Sequence, residues 1–251
     1  MQIIDAFWEK RNIGVDAVEM RVSVDDLSDI RSIVDRINSD EFTGKYVTIK
    51  LPTGNLEIVH ALENIGFRFM ETQFHMEKSL VDYEPPATLA KMRNALVQQY
   101  IEKTEQAWHS VTDLMSDDMF HTDRIYLDPK LVRDTSCRRY RNWIMDLVND
   151  PNAHLFLYTF KDSPVGFGLV KMDPETHIVD DLLEGIFEQY QNTGFGFMMF
   201  DLALKYYQQH GMNKLITSIS SNNQPIVNLD LFFGYTIASQ EYVLRKFDQG
   251  E

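Results

Sequence analysis

Residues 191–196 read Gln191-Asn192-Thr193-Gly194-Phe195-Gly196, directly after a short apolar run (Leu182, Leu183, Ile186, Phe187) and directly before a helical pattern. Glycines at alternate positions let a backbone approach an anion closely and turn successive N–H groups toward it. The helix expected from Phe197 to His210 adds the positive end of its dipole at the same spot. A pyrophosphate is the natural guest of such a loop. The hexamer alone fits a plain strand-to-helix joint equally well.

Working outward, the flanking sequence carries an internal repeat. Asn55 is followed by Ile58, Val59 and then Gly66-Phe67; at an offset of 168 residues, Asn223 is followed by Ile226, Val227 and then Gly234-Tyr235. Each segment follows a β-rich run (Tyr46 to Leu51; Lys214 to Ser220) and precedes another (Arg68 to Lys78; Thr236 to Phe247). A strand–Asn–helix–Gly–strand unit met twice predicts two copies of one supersecondary motif. Gly66 and Gly234 stand where each helix must stop, the left-handed position that glycine fills at least cost.

The remaining elements fall into place around these units. Ala17–Val24 reads as a strand and Asp25–Asn38 as a helix with an acidic first turn. Helix Asn55–Ile65 and strand Phe67–Lys78 follow strand Tyr46–Leu51. Tyr83-Glu84-Pro85-Pro86 is the natural linker, so residues 1–82 and 87–251 are expected as two units. Helical stretches Ala107–Leu114 and Leu131–Val148 flank Asp117–Asp128, and the second carries Tyr140, Trp143, Ile144 and Leu147 on one face. Strands Ala153–Phe160 and Pro164–Lys171 meet at a hairpin turn, and Ile178–Phe187 is the strand leading into the glycine loop.

Composition is permissive. The chain has 251 residues, 44% apolar and 25% charged, as in an ordinary globular protein. A formal charge of -14 argues against nucleic-acid or acidic-membrane binding, which demand basic surface. The single cysteine excludes internal disulfides and thiolate zinc sites, and scattered histidines with no His-x-x-x-His give no reason to expect a metal. No apolar stretch reaches membrane-spanning length and the first residues lack a signal-peptide core, so a cytoplasmic location is expected.

The order helix–helix–strand–strand–strand–glycine loop–helix–strand–helix–strand over roughly 87–251 resembles the GNAT N-acetyltransferase fold, an α/β architecture on a mixed sheet. Gln191, Gly194 and Gly196 match its Q/R-x-x-G-x-G/A loop. Asn223 through Gly234-Tyr235 matches its second motif, N-x-x-A-x-x-L-Y-x-x-x-G-F. The N-terminal repeat then resembles a truncated GNAT half without the glycine loop, since Leu51–Asn55 holds Gly54 but no Gly-x-Gly. With Phe120-x-x-Asp123-Arg124-Ile125 and Arg139-Tyr140-x-x-Trp143-Ile144, the arrangement is similar to sugar-nucleotide N-acetyltransferases of the dTDP-fucosamine type.

The resemblance implies an acetyl-CoA-dependent N-acetyltransferase (class 2.3.1) working by direct attack on a thioester, with a small-molecule amine as acceptor. It places pantetheine beside Ile186, Phe187 and Glu188, the pyrophosphate on Gln191, Asn192, Thr193, Gly194, Phe195, Gly196 and Phe197, and Asn223 at the coenzyme. Oligomeric state is left open, a homodimer included. Strand alternation puts Asp180, Leu182, Glu184 and Ile186 on one face, making Glu184 and Asp180 the candidate bases; Asp180-Asp181 also reads as a solvated strand start. At the position of the family's tyrosine stands Asp230. A buried Asp with a raised pKa can protonate a thiolate and an ionised one cannot; Tyr235, Tyr242 or water are the alternatives. Arg138, Arg139 and Arg141 suit either a sugar-nucleotide diphosphate or a solvated helix face. Cys137 needs no role. Two functions follow: the transferase, or a degenerate GNAT-like protein that binds acyl-CoA or a partner without turnover.

Overall fold

The computed structural model describes residues 1–89 and 95–247. The tail of the expected second unit, and residues 90–94 within it, lie outside the described residues. In chain order the elements are β1 (Gln2–Asp5), α1 (Lys10–Ile13), β2 (Ala17–Arg21), α2 (Ile30–Ile37), β3 (Tyr46–Pro52), α3 (Leu56–Asn64), β4 (Arg68–Ser79), β5 (Val97–Ile101), α4 (Glu105–Thr112), α5 (Asp134–Asp146), β6 (Ala153–Phe160), β7 (Ser163–Asp173), β8 (Ile178–Ile186), α6 (Phe195–Gln209), β9 (Lys214–Ser220), α7 (Gln224–Phe232) and β10 (Thr236–Lys246). The two edge-side strands β1 and β5 and the single-turn α1 carry too few residues for a periodic signal.

All ten strands form one open mixed sheet in the order β1-β2-β3-β10-β4-β9-β8-β7-β6-β5. This is the α/β fold expected. Among the described residues seven α-helices cover it. β6 and β7 are covered on both faces and read as nearly continuous apolar runs. On one face α6 and α7 bury Met199, Leu204, Tyr207 and Leu229 against Tyr158, Val179 and Leu215. On the other, α4 and α5 bury Trp108, Cys137 and Ile144 against Leu155, Phe167 and Leu183. A separate core, Met20, Ile33, Ile49, Ile58, Leu62 and Leu244, lies under α2 and α3.

The segments of the sequence repeat occupy matching elements: β3-α3-β4 and β9-α7-β10 have the same starts at the 168-residue offset. Gly66 and Gly234 both have positive φ, 99° and 81°, after the helix. Strands β4 and β10 pair antiparallel, Gln73 opposite Glu241. The outer ladders share one register: Glu241 sits opposite Pro52, and Gln73 opposite Ser220. Each is the other shifted by the repeat, so the centre of the sheet is two-fold symmetric in its pairing.

Candidate functional site

The symmetry breaks where the site forms. β2 and β3 run parallel from Ala17↔Tyr46 to Arg21↔Lys50, and Val22 N–H continues to Lys50 O at 2.9 Å. β8 and β9 also run parallel, but only from Ile178↔Lys214 to Asp181↔Thr217. Beyond Asp181 the strands part, leaving the β9-side edge of β8 without a partner strand through Ile186. A glycine lies in this splay: a Cβ on Gly185 would stand 2.4 Å from Met119 Cε and 2.8 Å from the Phe167 ring. Nothing in the local sequence announced that constraint, because it is set by contacts across the chain.

The glycine loop follows directly. Asn192 and Gly194 adopt positive φ, 61° and 86°, on either side of Thr193. No acceptor among the described residues takes the N–H groups of Asn192, Thr193, Gly194, Phe195 or Gly196. α6 begins at Phe195, two residues earlier than the sequence suggests, so its dipole lies closer to the loop. The amides at the ends of the expected set are engaged elsewhere: Gln191 N–H donates to Glu188 O at 3.2 Å and Phe197 N–H to Gly194 O at 3.2 Å. The Gln191 amide group also turns inward, to the carbonyls of Met119 and Ile186, both at 3.4 Å. Ile186 packs on the core below Gly196, where a Cβ would meet Ile186 Cδ1 at 3.4 Å and Leu229 Cδ2 at 3.5 Å. Phe187 is buried, its N–H on Val165 O at 2.9 Å, and Glu188 is exposed.

Strand alternation does not hold along β8. A bulge leaves Leu182 without a partner between Val170↔Asp181 and Leu169↔Leu183. The expected pairing of Asp180 with Glu184 on one face is thereby replaced: the charges acting on Glu184 are those of Asp181 and Asp230, while Asp180 answers to Lys171. A bulge of one residue exchanges the two faces of a strand, and sequence periodicity cannot register it. Burial raises all three carboxyls, reinforced by Asp181 and Asp230 at Glu184, by Asp181 at Asp230 and by Asp180 at Asp181. Glu184 goes well above its ordinary value, Asp181 reaches about 7 and Asp230 about 8.

Asp230 is 1% exposed, and its Oδ2 has no hydrogen-bond partner among the described residues. The hydroxyls of Tyr158 and Tyr207, buried nearby, are also without one. Tyr235 is buried within reach of the same acids and pushed well above its ordinary value. Tyr242 packs instead on Phe69 and the core under α2 and α3, away from the acids. Asn223, at the start of α7, makes no side-chain capping bond and lines the cavity. Cys137 is core, its thiol pushed up to about 11 by burial.

A cavity of about 1160 Å³ takes in Asn223 and the acids. Its walls include Asn223, Asp230, Asp181 and Glu184 on the splayed side. On the other side they include Phe120 to Ile125 (all but His121), Arg139, Tyr140 and Trp143, together with Glu19, Lys50, Glu71 and Gln73 of the N-terminal half. The segment after Asp123 is fastened to that half by Asp128, buried and bonded to Arg245 and to Tyr46 Oη at 2.9 Å. The three arginines of α5 are committed within the protein: Arg139 to Glu9, Arg138 to Asp134 and Asn12 O, Arg141 to Asp117 and Met115 O. Among the described residues no group of three or more His, Cys, Asp or Glu side chains is arranged to hold a metal ion.

No curated protein matches the sequence. Solved structures do match in fold. A GCN5-related N-acetyltransferase from Sphaerobacter thermophilus aligns at TM-score 0.57 and 15% identity over 85% of this chain and 64% of that one. A functionally unknown conserved protein from Staphylococcus epidermidis aligns at 0.60 and 11% identity, covering 94% and 85%. A GCN5-related N-acetyltransferase from Kribbella flavida aligns at 0.50 and 12%, covering 93% and 82%. The chain thus spans a little under two thirds of the Sphaerobacter protein's length. The sequence pattern of the acetyltransferase (GNAT) family matches residues 108–234, just over half of the chain, from α4 through the splay and glycine loop to the glycine after α7. With the splayed strand, the open amides and the family pattern on the same residues, the chain belongs to the GNAT acetyltransferase family.

Proposed function

We propose that this protein is an acetyl-CoA-dependent N-acetyltransferase acting on a small amine. The observation that carries the reading is the run of five N–H groups without acceptors, Asn192 to Gly196, at the start of a fifteen-residue helix and beside the free edge of β8. Such a nest suits a pyrophosphate. The unpaired edge suits the amide-bearing pantetheine arm as an added strand, and Asn223, spared from capping, is free to meet it.

Bound acetyl-CoA supplies a thioester whose acyl carbon an amine attacks with loss of the thiolate. The chain's residues manage the protons. A carboxylate of the Asp181–Glu184 pair takes the proton released by the attacking nitrogen, Glu184 being our choice for the base. Asp230, held as a carboxylic acid up to about pH 8, donates to the departing sulfur, whose ordinary pKa is about 8.5 for a thiol. That near match is what efficient proton transfer needs. Asp230 thereby does the work of the family's tyrosine, and Asp180 is left outside the relay.

An amino-sugar nucleotide lies within the acceptor class, and the cavity's size accommodates one. A cytoplasmic enzyme built from two GNAT-type halves, 1–82 and 87–251, completes the proposal; the shared ladder register supports the duplication. Titration calorimetry with acetyl-CoA and thiol release over an amine panel test it. Glu184→Gln should lower kcat at neutral pH by at least about tenfold, remove the rise of rate with pH, and leave CoA affinity nearly unchanged. Wild-type turnover by this variant across pH 6 to 9 would make Glu184 structural. Binding without thiol release from any amine would leave the degenerate binder as the reading.

A further inference from the structure

Two cations in the cavity are held by long ion pairs and, among the described residues, by no hydrogen bond. Lys50 on β3 and Arg124 in the segment before α5 both line it, each with its side chain 14% exposed. Neither donates a hydrogen bond to any described residue. Their nearest carboxylates stand off, Glu19 at 3.7 Å from Lys50 Nζ and Glu71 at 3.8 Å from Arg124 Nε. The protein closes its other buried arginine pairs: Arg139 reaches Glu9 at 2.5 Å, and Arg245 grips Asp128 with two nitrogens. Mostly buried charges are costly unless hydrogen-bonded, so two adjacent cations that hold only long ion pairs keep donors available to an occupant of the cavity. The like charge of Arg124 is felt at Lys50, which places the two together. Beside them Glu71 is buried with Oε2 partnerless, and burial raises its pKa.

We propose that Lys50 and Arg124 form the far end of the acceptor site and hold an anionic oxygen group, a carboxylate or a phosphate, on an amine whose nitrogen reaches Glu184. The proposal rests on the acetyl-transfer reading and narrows its acceptor class. β4, whose Glu71 pairs with Arg124, is two strands from β8 and β3, which carries Lys50, is four, roughly 10 and 19 Å at ordinary strand spacing, and the side chains reach inward from both ends. The acceptor therefore has its amine and its anion at opposite ends of the molecule. Its ammonium suits the acids of the C-terminal half, and its anion the cations of the N-terminal one.

Thiol release with acetyl-CoA is measured for γ-aminobutyrate, ε-aminocaproate, phosphoethanolamine and aminopropyl phosphate, against n-butylamine, n-hexylamine and cadaverine. The expected kcat/KM favours amines bearing an anion by at least about tenfold, and that ratio falls toward one in Arg124→Gln and Lys50→Met, with part retained in Arg124→Lys. Whether the carboxylates or the phosphates lead identifies the group. Unchanged CoA affinity certifies that each variant is folded. Equal or better use of the alkylamines or cadaverine overturns the proposal. In parallel, saturation-transfer NMR is run with butyrate and propyl phosphate, which carry no amine. Signal in the wild type, lost in Arg124→Gln, supports the anion site even if no amine is acetylated, an outcome that removes the transferase reading alone. No signal with either probe overturns the anion site even if amines react.

Discussion

The two halves of this molecule share a pattern of strands and differ in what they leave open. In the C-terminal half β8 parts from β9 after Asp181, and the turn into α6 presents five unclaimed N–H groups. In the N-terminal half β2 stays zipped to β3 along its length. Its corresponding turn, between β2 and α2, is filled by the chain's own carboxylates. Asp26 accepts from the Met1 amino group and from Ser23 N–H and Oγ, and Asp29 caps α2 through Ser32 N–H at 3.0 Å. Asn55 caps α3 while Asn223, its counterpart, caps nothing. Leu62 is core while Asp230, its counterpart, is a buried acid with a partnerless oxygen. At these positions the N-terminal half has satisfied the groups that the C-terminal half leaves open.

The largest test imports the active half's chemistry into the quiet one. Leu62→Asp buries a carboxyl among Ile58, Phe67 and Leu244 with no cavity to serve. It should destabilise the protein by more than about 3 kcal/mol, read as a drop in urea midpoint. A loss under about 1 kcal/mol would mean that the N-terminal core tolerates acids and that Asp230 carries no special cost.

The converse, Asp230→Leu, should stabilise by about 1–2 kcal/mol, since removing an unpaired buried carboxyl lifts its desolvation cost, while lowering turnover at least about tenfold. The pH dependence has a definite sign. Asp230 is raised from 3.8 to about 8 in the folded protein, so between those values the native state binds more protons than the unfolded one. Stability therefore falls as pH rises through that window. Asp181, raised to about 7, and Glu184 act in the same direction. Asp230→Leu should flatten the slope of unfolding free energy between pH 4 and 8; an unchanged slope would remove Asp230 from the cluster.

A smaller effect is expected at the glycine loop. Gly196→Val adds γ-carbons beyond a Cβ already at 3.4 Å from Ile186 and 3.5 Å from Leu229, and stands in the path of an approaching anion. CoA affinity should fall at least tenfold, about 1.4 kcal/mol. Calorimetry giving wild-type affinity for a folded variant would detach the loop from the coenzyme.

The smallest test compares the two asparagines. Asn55→Ala should cost about 1 kcal/mol of stability through the lost cap to Glu57 and Ile58 N–H. Asn223→Ala should cost almost none and should weaken CoA binding instead. Equal thermal shifts in the two variants would erase the distinction between a structural and a functional asparagine.

Some of this was legible in the chain, and the limit is physical. The hexamer 191–196 and the Asn-to-Gly repeat are local, carried by backbone constraints that glycine and asparagine meet within a few residues, so the sequence alone determined the loop, the paired strand–helix–strand units and the family. The bulge at Leu182 was beyond reach: it depends on how β8 meets β7, and it puts Asp181 rather than Asp180 on the face of Glu184. The fate of the arginines was likewise decided in three dimensions. Arg138, Arg139 and Arg141 look free in a helix pattern but find Asp134, Glu9 and Asp117. Arg124, noted in the sequence only within the stretch Phe120 to Ile125, faces the cavity with Glu71 3.8 Å from its Nε. Periodicity reports which residues a backbone presents; only the packed structure settles which of them are already satisfied, because the partners come from distant parts of the chain.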